Sequence, residues 1–193
     1  MSAFALIALV RRLAGCRGGV ALVEFALALP LLLVLYSGTF VISDLVSCKR
    51  KVVVSARTLT DTTSRYVALT QSDASIIMAA ISQEMLPYDA SSTVVRLSEV
   101  QICPGGKTAS VVWSVSQNGT PYATGATVQL ATNMFTNSSP LVPTTACSNG
   151  AYFIFGEVSY PYKPSVGMGS QATVNLYDSA LISPRASNSI GMS

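Results

Sequence analysis

Val20-Ala21-Leu22-Val23-Glu24-Phe25-Ala26-Leu27-Ala28-Leu29-Pro30-Leu31-Leu32-Leu33-Val34-Leu35-Tyr36-Ser37-Gly38-Thr39-Phe40-Val41-Ile42-Ser43-Asp44-Leu45-Val46 is the stretch on which the fold turns. Its only charged side chains are Glu24 and Asp44, one near each end. As a helix rising about 1.5 Å per residue, these 27 residues extend about 40 Å, enough to cross a hydrocarbon core of about 30 Å with some tilt. The stretch is therefore read as a single membrane span. A cleaved secretory signal core runs only about 7–15 residues. Pro30 removes one backbone donor, so a bend or loosening is expected near Leu27–Leu31.

Downstream of the span, Leu45, Cys48, Val52, Ala56, Leu59 and Thr63 recur at three- or four-residue spacing, with Val67 four further on. That period predicts an amphipathic continuation of the helix over 47–70, its stripe forming a packing face. The run Thr58–Thr63 is rich in β-branched residues of poor helix propensity, so fraying or a break is expected there. Ser72 and Asp73 then open a short second helix carrying Ile77, Ala80, Ile81 and Met85, which Pro87 stops.

After Tyr88 the composition shifts toward Val, Thr, Tyr and Gly. Thr93–Ile102, Ser110–Ser116, Tyr152–Tyr160 and Ala172–Ile182 read as strands, with Val111, Trp113 and Val115 expected on one face. The Asn-, Thr-, Ser- and Pro-rich segment 118–143 reads as loops around a weak strand at Thr127–Ala131, with a turn at Asn118-Gly119. Gly167-Met168-Gly169-Ser170 reads as a hairpin tip, since it lacks the spacing of a GxSxG elbow. This order of elements predicts an α+β fold: a long N-terminal transmembrane and amphipathic helix packed on a small antiparallel β-sheet head.

Composition narrows the chemistry. The 193 residues contain no histidine, which excludes Ser-His and Cys-His nucleophilic catalysis and His-ligated zinc. No Walker loop or carboxylate cluster of calcium-binding type occurs, so no catalytic residue, cofactor or metal site is assigned. Residues 20–193 carry nine basic and nine acidic side chains. A neutral remainder without a basic stripe argues against a nucleic-acid partner.

At the upstream edge of the span the chain reads Arg17-Gly18-Gly19-Val20-Ala21-Leu22-Val23-Glu24-Phe25, with Arg11 and Arg12 further back. A carboxylate near hydrocarbon is costly and calls for a partner or a function. Gly18 and Gly19 lack a Cβ and suit an extended, cleavable segment. This junction resembles that of type IV prepilins, and more closely the TadE-like minor pilins (pseudopilins) of the tight adherence (Tad or Flp, type IVb) pilus system. In that family a glycine is followed after four residues by Glu-Phe or Glu-Tyr, here Gly19 and Glu24-Phe25. The looser stretches Val158–Pro164 and Ser179–Arg185 are similar to the family's final hairpin and Pro-Arg ending.

The resemblance implies a non-enzymatic pilus-assembly protein with a type IV pilin-like fold. A prepilin peptidase would cut between Gly19 and Val20, with Glu24 and Phe25 serving assembly. The partners implied are that peptidase, other minor pilins and Tad secretion or assembly proteins, in surface adhesion. The divisions are then 1–19 as leader, 20–46 as transmembrane helix, 47–70 as its extension and 71–193 as a periplasmic head, the whole anchored in a bacterial inner membrane or carried into a pilus. The stripe on the extension would pack on the head or on a neighbouring subunit.

In an oxidising periplasm, Cys103 and Cys147 are expected to form a disulfide, with two free buried thiols as the alternative. Cys48, near the membrane surface, is left out of that pairing except for an intermolecular bridge. Two rival readings remain: a single-pass anchor presenting a periplasmic binding or sensor domain, and a lipoprotein acylated at Cys16 within Leu13-Ala14-Gly15-Cys16. Arg11 and Arg12 interrupt the apolar run a lipoprotein signal needs.

Overall fold

The computed structural model describes residues 20–130, 135, 139–164 and 173–193. The leader with Gly19 and Cys16, the Gly167–Ser170 tip, and the outer ends of two expected strands at Ala131 and Ala172 lie outside these residues.

Helix α1 spans Val20–Thr63 without interruption and carries Pro30 inside it. Its first half is exposed along its length, with Leu22, Phe25, Leu27, Leu31, Val34 and Tyr36 each more than 60% accessible. One described helix is thus long and apolar enough to cross a membrane. Its second half packs through the expected stripe: Cys48, Val52, Ala56, Leu59 and Thr63 are fully buried, and Leu45 is partly so. Val67 departs from that stripe and is 63% exposed, because the helix stops at Thr63 and does not reach residue 70.

The threonine-rich stretch stays helical to its end. Thr60 and Thr63 donate their hydroxyls to the carbonyls of Ala56 and Leu59 one turn back, at 3.1 and 2.8 Å. Both are buried against the head, so tertiary packing overrides weak propensity.

Strand β1 (Ala68–Leu69) follows, then helix α2 (Gln71–Glu84). The helix start differs from the sequence expectation: Thr70 is the N-cap, and Asp73 is its third helical residue. The Thr70 hydroxyl accepts from the Asp73 amide at 3.1 Å, while the Asp73 carboxylate accepts from the Thr70 amide at 3.2 Å. This is the reciprocal capping box, which satisfies two orphan donors at once.

The head continues with β2 (Val94–Ile102), β3 (Thr108–Gln117), β4 (Thr127–Gln129), β5 (Tyr152–Tyr162), β6 (Val174–Ile182) and β7 (Gly191–Met192). The five-stranded sheet has the order β4-β3-β2-β5-β6 and is antiparallel throughout. Strand β5 passes through Pro161 to Tyr162, two residues beyond the expected end. Pairing with β2 reaches only Ser159, so the proline falls where β5 has β6 as its one paired neighbour.

The sheet has two unequal faces. On the inner face Val95, Leu97, Val115, Ile154, Val158, Tyr160 and Leu176 join the helical stripe and α2 in the main core. On the outer face Val100, Ile102, Ala109, Val111, Phe153 and Phe155 are covered by Val128, Leu130 and Val142 from the long connection.

A bulge divides Val111 from Trp113 and Val115. Glu99 pairs with Trp113 but Val100 with Val111, leaving Val112 extra. One extra residue reverses the alternation, so Val111 enters the outer core while Val115 enters the inner one. The three therefore do not share a face.

Strand β7 pairs in parallel with β1, Ala68 opposite Gly191 and Leu69 opposite Met192. Just before it, Ile190 is fully buried in the inner core. The buried carboxylate of Glu99 accepts from the Ile190 amide at 2.6 Å and from Trp113 Nε1 at 3.0 Å. Trp113 Nε1 also donates to the Ile190 carbonyl at 2.7 Å.

Burial raises the Glu99 pKa above the usual carboxylate range, against the opposing pull of the Ile190 and Trp113 N–H groups. A folded-state pKa above the unfolded one favours the fold most at low pH, and that contribution is lost as pH rises through the folded value. Glu99→Gln should therefore remove a decline in stability that the natural chain shows as pH rises above the ordinary carboxylate value of 4.5. Thermal unfolding in detergent micelles followed by Trp113 fluorescence reads the difference. Asp61 and Asp89, both held low by hydrogen bonds from Arg65 and from Ser92 and Ser91, act with the opposite sign and below that window.

Candidate functional site

Val20 opens α1, so Glu24 and Phe25 lie within its first two turns. Phe25 is 61% exposed, and the ion pairs among the described residues do not include Glu24. The sequence-derived pair therefore projects from the exposed apolar half of the helix. Glu24 is the one carboxylate in the first 24 residues of that helix, and its side chain is exposed.

The head meets the helix at Asp44. Tyr88 donates to Asp44 Oδ1 at 2.8 Å, and Tyr162 donates to Asp44 Oδ2 at 2.6 Å. Each carboxylate oxygen is thus held by a different element, one from the connection after α2 and one from the end of β5. Burial and the neighbouring Asp44 charge push both phenol pKa values well up, so the hydroxyls remain donors.

One turn further along, Lys49 Nζ donates to the Tyr177 carbonyl at 2.6 Å and pairs with Asp178 at 3.2 Å. Lys51 Nζ donates to the Glu84 carbonyl at 3.1 Å. These contacts lock helix to head at a fixed height. Sequence inspection marked Asp44 as the acidic end of the apolar run. Its partners escaped notice because they lie 44 and 118 residues away, without periodic spacing.

Cys48 is fully buried at this junction. Burial, with Asp44 nearby, pushes its thiol up to about 11, which leaves it protonated and unreactive. An intermolecular bridge through Cys48 is closed to a side chain with no exposure. Cys103 and Cys147 are joined, Cα to Cα 4.0 Å. The bridge ties the end of β2 to the short 3₁₀ turn Cys147–Asn149.

On the outer face, Arg96 Nη1 pairs with Glu157 Oε2 at 3.2 Å, and its guanidinium lies 4.2 Å over the Tyr122 ring. Tyr122 and Tyr177 both donate to Glu157 Oε1, at 3.2 and 2.7 Å. Val94, Arg96, Glu157, Ser159 and Tyr177 line a cleft of about 250 Å³ here. Among the described residues no group of three or more His, Cys, Asp or Glu side chains is placed to hold a metal ion.

The architecture defines a class: an α+β head with an antiparallel sheet, clamped to the distal half of one long helix whose proximal half is apolar and, among the described residues, exposed. Comparison of the chain with protein-family models, curated proteins and solved structures finds no match.

Proposed function

We propose that this chain is a TadE-like minor pilin, or a pilus-assembly subunit of the same tight adherence system, with a pilin-like arrangement of helix and head. The observation carrying the reading is the Gly19-x4-Glu24-Phe25 spacing at the start of an exposed apolar helix. Cleavage after Gly19 by a prepilin peptidase would release an α-amino group at Val20, one helical turn from Glu24. The new cation and the carboxylate then neutralise each other, within one helix or between neighbours, and lower the penalty for packing such helices in lipid. Phe25 adds apolar contact at the same level. The head would lie on the periplasmic side of the inner membrane and enter or prime the pilus.

Coexpression with a prepilin peptidase should shorten the protein by residues 1–19, with Val20 as its amino terminus by mass spectrometry. Gly19→Leu should retain the full leader. Recovery of Met1 in all of the natural-sequence protein would reject the assignment.

The cleft around Arg96 and Glu157 favours one rival, a single-pass anchor displaying a binding head. That rival keeps Met1 and requires no peptidase, so the same measurement separates the two.

A further inference from the structure

The hydrogen bonds at Asp44 fix how high the head stands on its helix. Val20 to Asp44 covers about 36 Å of helix, against about 30 Å of hydrocarbon and about 40–45 Å of whole bilayer. A span that starts at the near edge of the hydrocarbon therefore brings Asp44 into the headgroup layer of the far leaflet. Tyr88 and Tyr162, bonded to Asp44, are held beside it, Tyr162 buried in the core and Tyr88 partly exposed. Tyrosine is the residue type that favours this layer, with an apolar ring and a polar tip.

Two further segments are fixed near this height. Lys51 binds the Glu84 carbonyl and Asp44 binds Tyr88, so Leu86 and Pro87 lie on a connection that descends along the helix toward Asp44. Val174 is paired with Tyr162 at the end of the sheet. Leu86 is 56% exposed, Val174 42% and Val46 46%. Apolar side chains from three separate elements thus emerge around one level of α1.

The charges at that rim balance. The segments that carry it hold Arg50, Lys51 and Lys163, each exposed or partly exposed, and in equal number Asp44, Glu84 and Asp89, while Lys49 is paired with Asp178. A rim without net charge has no electrostatic reason to choose an anionic surface.

We infer that the underside of the head, through Leu86, Val174 and the partly exposed Tyr88, is a docking surface for the phospholipid headgroup layer, engaged by apolar contact and indifferent to lipid charge. The head is seated on the bilayer and does not swing above it. The inference rests on the membrane-span reading but not on leader cleavage.

The test places a tryptophan at single positions of the full-length protein in phosphatidylcholine vesicles whose acyl chains are brominated near the headgroup. Emission is compared with unbrominated vesicles after subtracting the native Trp113 signal. Leu86→Trp and Val174→Trp should each lose at least half of their emission, equally in vesicles doped with phosphatidylglycerol. Leu33→Trp, within the span, should also be quenched.

Thr127→Trp should be unaffected. That position is level with Tyr152 through Ser110 and Gln101, about 34 Å along the sheet from Tyr162. Quenching at residue 33 with residues 86 and 174 behaving like 127 would overturn the docking surface and leave the span intact. No quenching at residue 33 either would reject both, and quenching of the rim in anionic vesicles alone would reject the apolar seating. If Leu86→Trp fails to fold, Val174→Trp supplies the same reading.

Discussion

Gly156→Leu is expected to separate the helix from the sheet, destabilising the head by more than about 4 kcal/mol. Gly156 lies on the inner face of β5, opposite Leu97 and Ala180, where α1 packs directly against the strand. A Cβ at this position would stand 2.7 Å from Thr60 Cγ2, 3.1 Å from Leu59 Cδ2 and 3.4 Å from the Ala56 carbonyl oxygen. The last neighbour is helix backbone and cannot rotate away. A larger side chain must displace the whole helix, which pulls on the Asp44 and Lys49 contacts further down.

Gly156→Ala should cost about 1–3 kcal/mol. Much of that cost should vanish in a Thr60→Ser background, because serine lacks the clashing methyl group. The double-mutant cycle, read by Trp113 fluorescence during thermal unfolding in micelles, should show a coupling of at least about 1 kcal/mol. An additive pair would mean that the helix approaches the sheet elsewhere.

The second large effect concerns the bridge between Cys103 and Cys147, separated by 44 residues. Closing a loop of that length should stabilise the fold by about 4 kcal/mol through restriction of the unfolded chain. Cys103→Ser combined with Cys147→Ser should lose most of this, and reduction of the natural protein should match it.

The loss should also be uneven. The bridge anchors the far end of the connection whose Val128, Leu130 and Val142 cover the outer core, aided by Gln101 Nε2 donating to the carbonyls of Ser148 and Gly150 at 2.8 and 3.0 Å. Amide exchange should accelerate first in β4 and at Val142, while α1 and β5 retain protection. Equal acceleration in β5 would count against this division into two cores.

The long helix and most of the sheet were legible because each rests on local pattern. A charge-poor run marked α1, and a three- and four-residue period marked its buried stripe from Cys48 to Thr63. Alternation and β-branched residues marked β2, β3, β5 and β6. Features set by distant contacts were not legible. The Val112 bulge reverses a face without changing composition, and the two-residue pairing of β1 with β7 is too short to leave a periodic trace.

Thr70 carries no distinct cap signal in the sequence, because Ser72 and Asp73 offer a similar start two residues later. At the candidate site, Glu24 was conspicuous as a lone carboxylate in an apolar run. Tyr88 and Tyr162 carry no signal until the fold brings them to Asp44. The Glu99 network with Trp113 and Ile190 was hidden for the same reason, since a glutamate in a strand ordinarily faces water.

Ile190 and the pairing of Gly191 and Met192 with β1 have a bearing on biosynthesis. Residue 190 follows Glu99 by 91 positions, so the inner core cannot close during synthesis until that segment has emerged from the ribosome. Until then, Glu99 has no amide from residue 190 to meet, and Leu69 waits for its neighbour. A head cut short before Ile190 would hold every strand of the larger sheet and still lack this final closure.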